Sequence, residues 1–258
     1  MNRPKVILFD CASLDGCLTI APEYLLFPQP DPRWIALAGS SDLDVMRWLV
    51  AHHQPQATLE GSGSFVREGE EPESLPPFEG DGTVLYQDYL PEKIVKRAGH
   101  KGWFCAVDGR GRIRWYYKEF PSEEWQGWHA LVWVHESTPA TYLAYLRKEE
   151  IPYLVAGDGQ VDLSLALQKM REKLDVTCLL STAGGRLNGA LVRAGLVDEV
   201  NVEFLPGIIG GVTTPALFTA PNLQKDQNPF LLHLISVHSE TGGKVWLRYE
   251  VVKECSNH

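Results

Sequence analysis

Apolar residues recur along this chain in two alternating patterns. Short continuous runs sit at 5–12, 57–60, 103–107, 131–135, 153–156 and 176–181, and each is the length of a buried strand. Between them the apolar residues fall at helical spacing. Leu43, Met46, Leu49 and Val50 line one side of 41–53, with Ser41 as an N-cap. Tyr142, Leu143, Tyr145 and Leu146 do the same over 138–148, and Leu163, Ala166, Leu167, Met170 and Leu174 over 163–174. A further helix over 187–194 is stopped by Gly195.

This alternation predicts an α/β fold with a mixed, mostly parallel sheet flanked by helices. After residue 200 the helical pattern ends and strands follow at 200–205, 231–238 and 244–253, so the C-terminal end is β-rich. Residues 103–107, the turn 108–111 and 113–117 read as strand, turn, strand. The Glu-, Pro- and Gly-rich stretch 67–82 reads as a surface loop, and 83–100 as a short strand with irregular structure. With no repeat and no linker, residues 1–258 are expected to form a single domain.

Composition narrows the function classes. The net charge of −9 argues against non-specific nucleic-acid binding, which needs a basic surface. No apolar run is long enough for a membrane span, and the run 6–9 is too short for a signal-peptide core, so a cytoplasmic protein is expected. Cys11, Cys17, Cys105, Cys178 and Cys255 are odd in number and form no Cys-x-x-Cys pair. They read as reduced, mostly buried thiols, and no metal site is expected.

Three turns carry candidate chemistry. At Ser181-Thr182-Ala183-Gly184-Gly185-Arg186-Leu187 a buried strand ends at two glycines that open a helix. Small residues there let a pyrophosphate approach the backbone, and the first helical turn supplies N–H donors. A tight turn with no ligand explains the same residues equally well. Glu60-Gly61-Ser62-Gly63-Ser64 follows a short strand and is either a phosphate cradle or a flexible loop. Ser13-Leu14-Asp15-Gly16 closes the first strand, so Asp15 is either a ligand-facing carboxylate or part of an Asp-Gly turn. None of these is a GxGxxG fingerprint. His52, His53, His129, His135 and His233 lie in no interpretable motif and read as satisfied structural histidines. The tryptophans, Trp103, Trp115, Trp125, Trp128 and Trp133 among them, read as core and interface residues.

Taken in order, these segments resemble the reductase domain of riboflavin biosynthesis, a relative of dihydrofolate reductase. The resemblance runs from residue 5 to about 215. It is carried by Ser13-Leu14-Asp15-Gly16, Glu60 to Ser64, Asp108-Gly109-Arg110-Gly111-Arg112-Ile113-Arg114-Trp115 and Val161-Asp162-Leu163. Most specific is the block Gly184-Gly185, Leu187-Asn188-Gly189-Ala190-Leu191, Gly195-Leu196-Val197-Asp198-Glu199, Pro206 and Gly210-Gly211. Two departures stand out. Ala183 occupies a position where the family usually carries Glu, and the loop after Ser64 does not follow the family pattern. The Pro-Cys-x-x-Cys motif of the deaminase half fused to some members does not occur.

The resemblance implies a dihydrofolate-reductase-like fold and a homodimer that reduces the ribosyl group of a phosphorylated aminopyrimidine to a ribityl chain. Hydride comes from NADPH, with NADH as the alternative. Gly61, Ser62, Gly63, Ser64, Gly184, Gly185, Arg186 and Leu187 would hold the cofactor. Ser137 and Thr138 would meet its adenosine 2′ position, with Glu136 opposing a phosphate there. Ser13 and Asp15 would meet the substrate, Asp15 acting on its sugar or developing amine. The dimer interface is expected around 231–253, where an apolar edge strand needs covering. Two other readings stay open. One is a reductase of this fold acting on a different carbonyl, imine or pterin; the other is a nucleotide-binding protein without catalysis.

Overall fold

The structure, a computed structural model, describes residues 2–24, 31–40, 43–67, 69–119, 125–225 and 227–253. They form two compact units: residues 1–4 with 55–179, and residues 5–54 with 180–258.

The first unit holds four parallel strands in the order β5 (Tyr153–Val155), β4 (Trp128–Val134), β3 (Gly102–Val107) and β2 (Ala57–Gly61). Every residue of β4 is buried, as expected of a central parallel strand with both faces covered. Helix α4 (Ala140–Lys148) packs Tyr142, Leu143 and Leu146 against Ala130, Val132 and Val134. Each such side chain contributes roughly 1.5–3 kcal/mol of burial. Helix α5 (Leu163–Leu174) is N-capped by Asp162, whose side chain accepts the Leu165 N–H. It buries Ala166, Leu167 and Met170 of the predicted stripe, while Leu163 and Leu174 at its ends are half-buried.

The predicted hairpin after β3 does not form. Residues 113–117 are irregular, and the Ile113 N–H donates to the buried carboxylate of Asp108. Both edges of β3 are already paired, with β2 and β4, so no ladder remains for a returning strand. The segment 83–100 forms a 3₁₀ turn (Gly82–Tyr86) and the short helix α3 (Glu92–Val95). Its expected strand reduces to one bridge between Tyr89 and Tyr153.

The second unit contains β1 (Lys5–Ser13), parallel to β7 (Glu199–Leu205), then β9 (Val245–Val251) and β8 (Leu232–Ser239), both joined antiparallel. The nine strands are therefore mixed and mostly parallel, with a β-rich C-terminal end, as the pattern predicts. Helix α1 (Pro32–Ala38) has no counterpart in the sequence reading. It is capped by Asp31 and carries Pro at its start. Helix α2 (Val45–His53) starts at Asp44, whose side chain accepts the Arg47 N–H, and Ser41 lies outside the described residues. Strand β6 (Cys178–Ser181) is fully buried and leads into α6 (Gly185–Arg193).

Beside β1 and β7, Glu199 accepts from Lys5 at 3.0 Å and from Arg248 at 3.0 Å, with His53 at 3.3 Å. Although burial opposes its charge, the bonds to Lys5 and Arg248 hold the Glu199 carboxyl at about 2. Burial outweighs the pull of Glu199 on His53 and lowers the imidazole pKa. Cys17, Cys105 and Cys178 are buried and Cys11 half-buried, while Cys255 lies outside the described residues.

Candidate active site

In the second unit, β1 and β6 end at the two loops that the sequence singles out. Ser13 is the last residue of β1 and is fully buried; Asp15 is exposed. The Asp15 carboxylate accepts from Ser13 Oγ at 2.5 Å, Gly210 N at 2.6 Å and Ile209 N at 3.2 Å. These bonds pull its pKa down to about 2, the Ser13 hydroxyl contributing most, so Asp15 is an anion at neutral pH. The Leu14 N–H donates to Gly207 O at 2.8 Å, so backbone and side chain together tie this turn to residues 207–210. Gly210 and Gly211 both adopt positive φ, which lets the loop turn its N–H groups toward one carboxylate.

The two glycines of the second loop do different things. A Cβ on Gly184 would meet no atom within 4 Å, and the residue is exposed at the N-cap of α6. A Cβ on Gly185 would lie 1.7 Å from Ala216 O. A Cβ on Gly189, one turn on, would likewise lie too close to Thr219, 2.4 Å from its carbonyl oxygen. The chain at 216–219 thus crosses α6 on a face that must be bare, and Thr219 N donates to Gly185 O. Arg186 is exposed and Leu187 half-buried in the same helical turn.

A buried polar network fixes this loop. Asn188, fully buried, donates to Asp10 Oδ2 and to Ala183 O, both at 2.6 Å, and accepts from Ser181 Oγ at 3.1 Å. The amide therefore joins the strand–helix turn to the middle of β1. Ala183, at the position of the family's Glu, is itself fully buried. Sequence reasoning assigned no role to Asn188, Asp10 or Ser181. The available signal was Asp10 inside the otherwise apolar run of β1, since a carboxylate there needs a donor.

In the first unit, β2 ends at a 3₁₀ turn (Ser62–Ser64). Ser64 Oγ donates to the buried Glu60 carboxylate at 2.7 Å, while Gly63 is exposed with open space beside it. At the end of β4, Thr138 is fully buried; its hydroxyl donates to Gly109 O at 2.9 Å and accepts from His135 N at 3.1 Å. Ser137 is exposed, and its N–H donates to Asp158 O at 2.9 Å. The loops after β3, β4 and β5 are thereby stitched together. Among the described residues no cluster of His, Cys, Asp or Glu could hold a metal ion.

Parallel strands ending in small-residue loops, one of them opening a helix at a bare glycine, define an α/β protein of the kind that takes ligands at the carboxyl ends of its strands. Residues 124–247 match the RibD C-terminal domain family. The match includes Ser137, Thr138 and Gly184 to Leu187, and leaves Asp15 and Ser62 to Ser64 outside it. Two curated relatives carry the name 2,5-diamino-6-ribosylamino-4(3H)-pyrimidinone 5′-phosphate reductase. The protein from Methanothermobacter thermautotrophicus is 38% identical over 136 residues, 51% of this chain and 59% of the relative. The one from Aquifex aeolicus is 29% identical over 120 residues, 46% of this chain and 52% of the relative. The matches thus span little more than half the length of these relatives.

The fold extends over nearly the whole chain. A pyrimidine reductase-like protein from Corynebacterium diphtheriae superposes with a TM-score of 0.64 at 15% identity, covering 98% of this chain and 94% of that one. RibD from Acinetobacter baumannii gives 0.57 at 19% identity, covering 98% of this chain and 59% of that one.

Proposed function

We propose that this chain is a nicotinamide-dependent reductase of the riboflavin pathway. Its substrate is a phosphorylated aminopyrimidine whose ribosyl group it converts to a ribityl chain, and NADPH is its hydride source. The observation that carries this reading is Gly184. It is a bare, exposed glycine at the N-terminus of α6, inside the segment that matches the RibD C-terminal domain family.

The residues present fit the cofactor. At Gly184 a pyrophosphate meets no side chain, the helix end offers its positive dipole, and the exposed Arg186 adds a cation. Leu187 and the buried Gly185 shape the same turn. Gly61, Ser62, Gly63 and Ser64 form a second small-residue loop with Gly63 open. Ser137 is the exposed side chain offered to the adenosine ribose, whereas the Thr138 hydroxyl is engaged in holding the loop. When bound, the nicotinamide supplies the hydride.

The chain's own part is positioning and charge. Asp15 is ionised and exposed to solvent, held by the Ser13 hydroxyl, the N–H groups of Ile209 and Gly210 and, at 3.7 Å, the weakly donating Cys17 thiol. That leaves it able to accept from a sugar hydroxyl and to stabilise positive charge on a ring-opened, iminium-like substrate. The buried Ser13 supports Asp15. The Gly184 loop and the fixed Asp15 anion, both in the second unit, orient the reacting carbon, and most of the rate enhancement is expected from that orientation.

The whole of 1–258 acts as a single reductase domain in this reading. The chain passes between its two units three times, at 4/5, at 54/55 and, within β6, at 179/180, so neither unit is a continuous piece. A cytoplasmic location is part of this reading; no described helix is long and apolar enough to cross a membrane. The exposed edge strand β8 is in keeping with a homodimer.

The test is direct. Purified protein is mixed with NADPH or NADH, and the near-ultraviolet absorbance of the reduced cofactor is followed on adding the ribosylaminopyrimidine phosphate. Substrate-dependent oxidation, faster with NADPH, is expected. Cofactor binding without oxidation would overturn the catalytic reading.

A further inference from the structure

A small cavity in the second unit belongs to neither the Asp15 turn nor the Gly184 loop. It encloses about 360 Å³ between the last turn of α1 and the turn from β8 to β9, and is lined by residues 36–40, Pro206, Gly242 and Lys244. Lys244 stands just before β9, two residues from Trp246, which pairs with Glu203 of β7. The period of two puts Lys244 on the Glu203 face of the sheet. Its Nζ lies 3.8 Å from Glu203 Oε1, an ion pair too long for a hydrogen bond, and both side chains are more than nine-tenths buried.

Glu203 therefore balances the charge of Lys244 without satisfying its donors. The Cys11 thiol donates to Glu203 Oε2 at 3.1 Å, and burial and the Glu203 charge push that thiol up, so it stays neutral. Among the described residues the Lys244 ammonium donates to no acceptor. An ammonium taken out of water and left without hydrogen bonds is costly, so the contents of the cavity must accept from it. The opposite wall carries acceptors. The Gly39 N–H closes on Ile35 O, which leaves the carbonyls of Ala36, Leu37 and Ala38 without an intrahelical donor. Donors on one wall and acceptors on the other select the ligand. An anion would face the carbonyl ends of α1, with Glu203 behind Lys244; a cation would face Lys244 itself. An apolar molecule leaves the ammonium unmet. A flat base finds nothing to stack on, since no aromatic side chain lines the cavity among the described residues. A hydroxyl both donates and accepts, so a chain of hydroxyls satisfies both walls at once.

We propose that this cavity binds a neutral polyol of pentitol size, which accepts from Lys244 on one side and donates to the α1 carbonyls on the other. At roughly 30 Å³ per water the volume matches about twelve waters, room for a five-carbon chain of about ten heavy atoms. The site goes beyond the reductase reading and shares no residue with the cofactor and substrate positions named for it.

The test follows backbone amide chemical shifts of the full chain during titration with ribitol. Shifts at Gly39, Ser40 and Gly242 are expected, saturating with a Kd in the millimolar range, and none at Asp15 or Gly184. Lys244→Met keeps the length of the side chain and removes its donors. Gly242→Leu fills the cavity and leaves Lys244 beside Glu203, since a Cβ there meets only Ser40 O, at 3.8 Å. Each variant should raise Kd at least tenfold, the scale of a lost hydrogen bond from a charged group or of a blocked site. Gly242→Leu keeps the test decisive should Lys244→Met fail to fold, and unchanged ribitol affinity in a folded Gly242→Leu would overturn the site. Inorganic phosphate or nicotinamide that shifts the same amides and displaces ribitol would overturn the neutral polyol. Ribitol shifts confined to Asp15 and Gly184 would place it in the active site, and a spectrum unmoved by about 100 mM ribitol would leave the cavity to water; either result overturns the proposal.

Discussion

The Asp15 carboxylate accepts the backbone N–H of Gly210 at 2.6 Å, joining the turn after the first strand to a loop 195 residues further along. One anion therefore sets the shape of both segments and remains charged while doing so. Asp15→Asn keeps the size of the side chain and removes the charge. We expect kcat/KM for the pyrimidine substrate to fall by roughly 100-fold or more, the usual scale for a positioned electrostatic group. Cofactor affinity should stay near wild type, and Tm should fall only modestly, because the amide NH2 can no longer accept the bonds made to one carboxylate oxygen. Turnover within a few-fold of wild type would reduce Asp15 to a turn residue.

The pH profile follows from the same bonds. The folded pKa of Asp15 is lowered from 3.8 to about 2. A carboxylate depressed in this way contributes in full above its unfolded value and is lost only as pH falls through about 2. The kcat/KM profile should therefore show no acid limb from Asp15 above about pH 4. An acid limb at pH 5–7 that disappears in Asp15→Asn would contradict this assignment.

Gly184 and Gly185 should separate cleanly on mutation. Gly184→Val places its side chain in open space, so the protein folds and cofactor titration shows a sharply weakened Kd. Gly185→Ala drives a Cβ against Ala216 O, a backbone atom that cannot rotate away. Its cost should be about 1–3 kcal/mol of stability, read as a lower Tm by circular dichroism. Equal Tm values for the two variants would sink this division of roles.

Asn188→Asp tests the buried network. The new carboxylate loses both donors and faces Asp10, so its pKa rises above the unfolded value. Stability is then retained below the unfolded pKa of about 3.9 and lost as pH rises through the raised folded value. Denaturant titrations should show a loss of about 3 kcal/mol at pH 7 that shrinks toward pH 4. A deficit independent of pH would mean that Asp10 and Asn188 do not interact as described.

The Glu199 cluster makes the opposite pH statement. Its pKa is lowered from 4.5 to about 2, so its contribution is complete above 4.5 and disappears as pH falls through about 2. Glu199→Gln leaves Lys5 and Arg248 without their anion and should cost about 3 kcal/mol at pH 7 in urea unfolding. The gap to wild type should close in strong acid. A gap that persists at pH 2 would place the effect elsewhere.

The sequence by itself determined the order of elements. Hydrophobic period alone separates the strand runs 6–9 and 131–135 from the amphipathic helices read over 163–174 and 187–194, because period is a local property of the chain. It also marked the loops at Asp15, Ser62 to Ser64 and Gly184, since turns before helices need small or capping residues whatever they later bind. It misread 113–117 as a strand, because a strand exists only where an edge is free, and both edges of β3 are taken by residues distant in sequence. Helix α1 escaped it for want of an apolar period, since Trp34 is its only buried residue.

Only the tertiary structure decided what the marked residues do. Gly184 and Gly185 are identical in sequence, yet one faces open space and the other the carbonyl of Ala216. Ser137 and Thr138 are neighbours, yet one is exposed and the other is consumed by Gly109 and His135. Asp10 and Asn188 are 178 residues apart and form one hydrogen bond. These roles depend on distances between chain segments, which local pattern does not encode and close packing fixes.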